Sequence, residues 1–203
     1  MYGKQRKKIW MSDSKPKNKF FNLEEMKQTK TPPKNGVFSA YLNSHMDKIA
    51  RVEDIVRLPA EGEIQFLHTE KAFNAFTFIP FIAKTHFIEE IYASTYSISR
   101  RVIEALQQMQ SAGQVGKVTL LISDSMIKRN PLTIDVLEGV AKHNENFNVK
   151  YYWNHSKVCL IKAGDFHLGL EGSGNWSENA QLEQYVLFNH PDVYNFRKSI
   201  FEI

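Results

Sequence analysis

A histidine and a lysine two residues apart, His155 and Lys157, precede a Gly-Ser-Gly-Asn segment at residues 172–175. Positions i and i+2 of a β-strand face the same side, so the two side chains are expected to project from one surface. Histidine can act as a nucleophile or base, and lysine supplies a cation. Glycines let backbone approach a ligand, while Ser173 and Asn175 offer neutral donors to phosphate oxygens. The pattern predicts an anion site suited to phosphoester chemistry.

Other common catalytic patterns are missing from the sequence. There is no GxSxG elbow, no phosphate-binding P-loop and no run of His, Cys, Asp and Glu at metal-ligand spacing. Metal-free chemistry at phosphorus therefore fits better than acyl transfer, and we expect no metal and no cofactor. Alone, an H-x-K tripeptide is a common chance event and Gly-Ser-Gly-Asn is usually a turn. Their conjunction carries the prediction, because the two pieces end adjacent predicted strands.

These residues resemble the signature of the phospholipase D superfamily, which is H-x-K, four residues, D, six residues and G-S-x-N. His155-Ser156-Lys157 and Gly172-Ser173-Gly174-Asn175 match its two ends, and Trp176-Ser177 follows as in many nuclease members. The middle departs, because Lys162 stands where the family has Asp. Asp165 follows three residues later and has the family's spacing to Gly172, so either residue could take that place. Three extra residues in a hairpin turn would explain the offset, and the resemblance gives Asp165, Gly172 and Gly174 supporting roles.

The resemblance implies a two-step transfer at phosphorus. His155 would attack and form a phosphohistidine, while Lys157 and Asn175 stabilise the phosphoryl oxygens and Ser173 helps to position them. Glu183 matches a family carboxylate that orients a catalytic histidine. Short members with one motif build the site between identical subunits, so the second histidine is expected from a homodimer with a shared composite site. His167 is interpreted as structural.

The leading hypothesis for function is a metal-independent phosphodiesterase, an endonuclease acting on nucleic acid with DNA favoured over RNA. The alternative is a catalytically silent phospholipase D-like protein that binds nucleic acid or another partner. A third interpretation, phospholipid hydrolysis, would need an exposed apolar lip. The segment at residues 76–83 (FTFIPFIA) is a candidate for that lip, although a core strand is its preferred interpretation.

The elements that must position these residues alternate along the chain. Strands with helices between them, plus one hairpin, predict an α/β fold with a mixed β-sheet flanked by helices. The predicted helices are Met46–Arg57, Ser97–Ala112, Pro131–Lys142 after an Asn130 cap, and Pro191–Phe201. The predicted strands are Glu63–Leu67, Phe87–Thr95, Lys117–Ile122, Phe147–Trp153, Lys157–Lys162, Phe166–Glu171 and Glu183–Phe188.

Charge divides the chain of 203 residues unevenly. Residues 1–36 hold ten Lys and Arg against three Asp and Glu, which leaves 16 and 19 of the totals of 26 and 22 for the remainder. We predict a basic disordered tail at 1–36, a linker or short helix at 37–60 and one phospholipase D-like domain at 61–203. A basic tail would attract a polyanion. The single cysteine, Cys159, and the lack of a signal sequence or membrane span predict a cytoplasmic protein without stable membrane insertion.

Overall fold

The computed structural model describes residues 57–69, 74–177 and 183–203. Their core is a seven-stranded mixed sheet in the order β1-β7-β6-β5-β2-β3-β4. The strands are β1 (Ile64–Thr69), β2 (Ile88–Thr95), β3 (Val115–Ser123), β4 (Phe147–Tyr152), β5 (Val158–Ala163), β6 (Phe166–Gly172) and β7 (Glu183–Asn189). The pairs β2–β3 and β3–β4 are parallel, and every other neighbouring pair is antiparallel.

The helices are α1 (Phe78–Ala83), α2 (Arg100–Ser111), α3 (Ser125–Arg129), α4 (Pro131–His143) and α5 (Pro191–Lys198), with short 3₁₀ turns at Ala75–Thr77 and Ser199–Phe201. Capping residues start the longer helices. Ser99 accepts a hydrogen bond from the Val102 amide at the start of α2, and Asn130 accepts one from the Thr133 amide at the start of α4. Gly113, with a φ of 69°, follows the end of α2, since this backbone conformation ends helices and favours glycine.

Alternation along the strands divides the apolar side chains between two faces. On β5, Cys159 and Ile161 join the larger core beneath α1, α2 and α4, whereas Val158 and Leu160 join the smaller core beneath α5. Helices therefore cover both faces of the sheet. Burial in the larger core raises the pKa of the Cys159 thiol, which keeps that thiol protonated.

The predicted α/β class and mixed sheet are confirmed, and each predicted strand has a counterpart within a few residues. The interpretation of residues 76–83 as a core strand is wrong. They form the end of a 3₁₀ turn and helix α1, most of which is buried, because Pro80 suits the first turn of a helix and lacks the amide that a strand requires. The predicted helix Met46–Arg57 lies outside the described residues, apart from Arg57. The predicted tail at 1–36 and most of the predicted linker at 37–60 also lie outside them, so the domain boundaries stay predictions.

Strand directions place several chain ends at one edge of the sheet. The parallel strands β2, β3 and β4 end there, as do β1 and β6, while β5 and β7 begin there. We call this the carboxyl edge, after the carboxyl ends of the parallel strands. In open α/β sheets ligands bind outside such an edge, where the strand order changes direction. Here the order reverses between β2 and β5.

Candidate active site

The His155 and Lys157 segment lies at the carboxyl edge, in the loop that joins β4 to β5. The prediction that both residues belong to a strand is wrong, since β5 begins at Val158. The loop nevertheless keeps the side chains together, because the Lys157 ammonium lies 3.4 Å from His155 Nδ1 and donates to the His155 carbonyl at 3.0 Å. His155 is exposed and Lys157 is half-buried. An imidazole that solvent can reach therefore stands beside a cation.

Burial acts on the charge of Lys157. It lowers the pKa of the ammonium, while the nearby Glu183 carboxylate and Tyr96 hydroxyl oppose that lowering. A partly desolvated cation interacts more strongly with an incoming anion than a fully hydrated one does. The position thus favours binding of a phosphate group.

Asn154 anchors the loop from beneath and was not predicted from the sequence. Its side chain is 9% exposed, and Nδ2 donates to Ser94 Oγ at 2.8 Å and to the Leu121 carbonyl at 3.2 Å. Its Oδ1 accepts from the Ser156 amide at 2.8 Å and from Ser156 Oγ at 2.7 Å. One side chain therefore ties the loop to β2 and β3. An asparagine adjacent to the motif was the only available signal.

The Gly-Ser-Gly-Asn turn lies directly beside the Lys157 backbone. The Gly172 amide donates to the Lys157 carbonyl at 3.3 Å, so the two halves of the sequence pattern meet across β5 and β6. Ser173 Oγ donates to Glu183 Oε2 and accepts from the Gln184 amide at 3.0 Å. These bonds fix the turn to the first residues of β7 and bring the Glu183 carboxylate to the same place.

The two glycines of this turn allow close packing within the protein. A Cβ built on Gly174 would lie 2.0 Å from Tyr185 Oη, and one on Gly172 would lie 2.2 Å from the Gln184 carbonyl oxygen. Real side chains do not tolerate such distances. Glycine at these two positions therefore allows Tyr185 to pack beneath the turn, in addition to any approach of a ligand to the backbone.

Asn175 is held by a residue at the end of β2. Thr95 Oγ1 lies 3.4 Å from Asn175 Oδ1 and accepts from the Trp176 amide at 3.2 Å. Because the amide oxygen faces Thr95, the amide nitrogen is the group left to donate to a ligand. The buried Trp176 indole packs edge-on against Phe76, with ring centroids 5.9 Å apart, and fixes the end of the turn in the larger core.

Two further side chains extend the site and were missed by sequence reasoning. The Tyr96 ring lies 4.8 Å from the His155 ring at an angle of 48°, and the Arg129 guanidinium lies 4.2 Å from the centre of the Tyr96 ring. Arg129 Nη2 also donates to the Tyr96 carbonyl at 3.4 Å and to Ser125 Oγ at 3.2 Å. Since Arg129 lies 26 residues before His155 in the sequence, no local pattern connects them.

The structure does not bring Asp165 or Lys162 to this site. Asp165 is exposed in the turn between β5 and β6, and Lys162 stands near the end of β5, where its ammonium donates to the Gly164 carbonyl. Five residues of strand at about 3.3 Å each separate Lys162 from Lys157, a span of about 16 Å. The turn itself holds only Gly164 and Asp165, so the expectation of three extra residues in this turn is wrong.

Lys162 instead lines a cleft of about 570 Å³ on the α5 face, away from the carboxyl edge. His167 also lines this cleft, and its ring meets the Tyr194 ring edge-on at 5.4 Å. Within the described residues, no three His, Cys, Asp or Glu side chains are grouped so that they could hold a metal ion. None of the helices in this part of the chain has the length and apolar character needed to cross a membrane.

Comparisons with known proteins support the fold. No family model matches the sequence, and no curated protein matches it. Polyphosphate kinase from Porphyromonas gingivalis matches the structure with a TM-score of 0.51 and 16% identity, over 70% of this chain and 26% of that one. Phosphatidylserine synthase from Haemophilus influenzae gives a TM-score of 0.47, 12% identity and coverage of 67% and 36%. TrmBL2, an archaeal chromatin protein, gives a TM-score of 0.44 and 11% identity, over 79% of this chain and 56% of that one.

The match to polyphosphate kinase shows that this chain shares a fold with part of that protein. At 16% identity the likeness concerns the fold alone. The chain spans about a quarter of the length of that kinase and between about a third and somewhat more than half of the other two proteins.

Proposed function

We propose that this protein is a metal-independent phosphodiesterase that cleaves nucleic acid through a phosphohistidine intermediate. The observation that carries the proposal is the convergence at one sheet edge of an exposed imidazole, an ammonium 3.4 Å from it, and a turn joined to Glu183 through Ser173. A nucleophile, a fixed cation and neutral donors are the groups that transfer at phosphorus requires. Their spacing in the sequence resembles that of the phospholipase D superfamily.

In the first step, Nε2 of His155 attacks phosphorus with its lone pair. The N–P bond forms, the P–O bond to the leaving oxygen breaks, and that oxygen takes a proton from a second imidazolium. Water then gives a proton to the second imidazole and attacks phosphorus. The N–P bond breaks and its electron pair returns to Nε2. Lys157, Asn175 and Ser173 offset the negative charge on the phosphoryl oxygens in both steps.

The contact between Lys157 and His155 adds a requirement. An ammonium can only donate, so its contact with Nδ1 places the proton of a neutral imidazole on Nε2. Attack by Nε2 needs that proton on Nδ1 instead. A bound phosphate would draw the Lys157 ammonium toward its oxygens. We assign the Glu183 carboxylate to accept a hydrogen bond from the Nδ1–H group of His155.

The second histidine is proposed to be His155 of an identical subunit. This chain carries one H-x-K segment, and a two-fold axis past the carboxyl edge would place two copies of His155 on opposite sides of one phosphate. Nucleic acid, with DNA ahead of RNA, is the proposed substrate because residues 1–36 carry ten Lys and Arg against three Asp and Glu.

Cleavage in excess chelator tests the proposal. The full chain is incubated with plasmid DNA, single-stranded DNA, RNA and bis(p-nitrophenyl) phosphate, beside His155→Ala and the control His143→Ala. His143 is exposed at the end of α4, where its Nδ1 contacts the Gly139 carbonyl, and the length of β4 separates it from the motif. We expect chelator-resistant turnover that His155→Ala abolishes and His143→Ala retains. A label on the transferred phosphoryl group that stays on the denatured protein in base and leaves it in acid identifies the phosphohistidine.

Subunit mixing tests the shared site separately. If each site needs His155 from both subunits, equal amounts of wild type and His155→Ala that exchange freely retain about a quarter of the wild-type activity, whereas independent sites retain about half. After complete subunit exchange, activity that falls in direct proportion to the fraction of His155→Ala would contradict the composite site.

One observation favours the alternative of a catalytically silent binding protein. Lys162 stands at the position of the superfamily's Asp, and Asp165 is exposed in a turn remote from His155. If wild type and His155→Ala are equally inactive on all four substrates while DNA still binds, the protein uses the fold and its anion site for binding.

A further inference from the structure

An exposed tryptophan stands at the rim of the candidate active site. Trp153 is 89% exposed, follows β4 directly and precedes His155 by two residues, so their Cα atoms lie within about 7 Å. Its neighbour Tyr152 is also exposed. An indole in water is unfavourable, since burying an aromatic side chain gains more than burying most other residues. Its place two residues before His155 makes the exposed indole available to a molecule bound at the candidate site.

A series of side chains in contact with one another extends from His155. The imidazole meets the Tyr96 ring, and the Tyr96 ring carries the Arg129 guanidinium on its face. Both contacts that the structure gives to the guanidinium polar atoms use Nη2. A guanidinium has five N–H donors, so Arg129 can also bind a phosphate. Lys128, exposed beside it, adds a second positive charge.

We infer that this site takes single-stranded nucleic acid, with a base stacked on Trp153 and the backbone directed along Lys157 and Arg129. The inference rests on the proposed function and specifies its substrate class. Proteins that bind single strands combine aromatic side chains, on which bases stack, with cations that follow the phosphates. In a duplex the base faces are already stacked and cannot reach an exposed indole, so Trp153 would distinguish the two forms. Because it lies within two residues of His155, the stacked base flanks the reacting phosphate.

The positive charge at the rim favours nucleic acid as the molecule that contacts Trp153. In the proposed dimer, Arg129, Lys128 and Lys157 of both subunits would lie near the shared site, where like charges repel unless an anion lies between them. A polyanion satisfies all three side chains together.

Binding is measured with the full chain carrying His155→Ala, so that turnover does not interfere. Fluorescence anisotropy at one salt concentration compares a labelled single-stranded DNA, the same sequence as a duplex, and a single-stranded RNA. Trp153→Ala is added to this background, beside Trp153→Phe and the control Phe196→Ala, which removes an aromatic ring that is 69% exposed on α5. We expect Trp153→Ala to weaken single-strand binding by about 5- to 150-fold, Trp153→Phe to restore most of it, and duplex binding to change less than about twofold.

Three results would overturn the inference. The first is an equal loss of duplex and single-strand binding in Trp153→Ala, and the second is an equal loss of single-strand binding in Phe196→Ala. The third concerns what Trp153 contacts instead of nucleic acid. It is either a change of Trp153→Ala from dimer to monomer by light scattering, or a loss by Trp153→Ala of binding to anionic vesicles. Failure of the proposed function alone would give a different set of results. If the wild type never cleaves but single-strand binding depends on Trp153, the binding site stands without the enzyme.

Discussion

Replacement of Asn154 by alanine tests whether one buried amide positions the His155 loop. Asn154→Ala removes three donations, to Ser94 Oγ, the Leu121 carbonyl and the Thr95 carbonyl, and two acceptances from Ser156. Each hydrogen bond contributes about 0.5–1.5 kcal/mol net, and a buried group left unsatisfied costs about 1–3 kcal/mol.

The structure limits that sum. The Ser94 and Ser156 hydroxyls also contact each other, so both keep a partner in the variant. Ser156 is exposed, so its amide can turn to water, whereas the Leu121 carbonyl is left in a buried strand. We therefore expect a loss of about 2–4 kcal/mol in the free energy of unfolding, and a decrease in kcat because the imidazole is no longer held.

Urea unfolding and thermal unfolding measure this loss. In a domain of this size each kcal/mol lowers Tm by about 2–4 °C. Asn148→Ala is the matched control, since Asn148 is exposed on β4 and its replacement is expected to cost less than about 0.5 kcal/mol. Asn154→Asp keeps the acceptances from Ser156 and loses the donations, which separates the two halves of the anchor. If Asn154→Ala costs less than about 1 kcal/mol, or leaves kcat unchanged, Asn154 does not position the loop.

Two glycines are expected to respond in opposite directions to alanine: Gly174→Ala should destabilise by about 1–3 kcal/mol because its Cβ would overlap Tyr185, and Gly139→Ala should stabilise by up to about 1 kcal/mol because its Cβ meets open space within α4. Equal effects in urea unfolding would contradict this packing argument. Lys157→Met tests the burial of the ammonium. Because the folded-state pKa of Lys157 is below its ordinary 10.5, its protonated form costs stability at neutral pH, and deprotonation on folding relieves that cost as pH rises. The stability of wild type relative to Lys157→Met should therefore rise between neutral pH and 10.5, despite the opposing Glu183, and a flat or falling difference would refute it.

The elements could be predicted because their signals are local. The Asn130-Pro131 pair opens α4, and the apolar spacing of residues 100–111 gives α2 one buried face. Helix α1 could not be predicted in this way, because a short apolar run fits a buried strand as well as a buried helix. Only its packing in the core separates the two.

Part of the candidate site could be predicted for the same reason. The sequence determined that His155, Lys157 and the Gly-Ser-Gly-Asn segment would meet, since they flank two predicted strands that a short turn joins. It could not determine that Asp165 stands at the far end of the hairpin, because one motif can be spread along strands of different lengths.

Other members of the site depend on contacts between residues distant in sequence. Arg129 reaches Tyr96 only because β2 and β3 are parallel neighbours whose ends share an edge. Asn154 becomes an anchor because the loop crosses those same strand ends. Such contacts depend on strand order and direction, which long-range packing selects and which the local chain does not encode in any short pattern. The motif residues of the candidate site could therefore be predicted from the sequence, whereas the side chains that hold and surround them could be identified only from the tertiary structure.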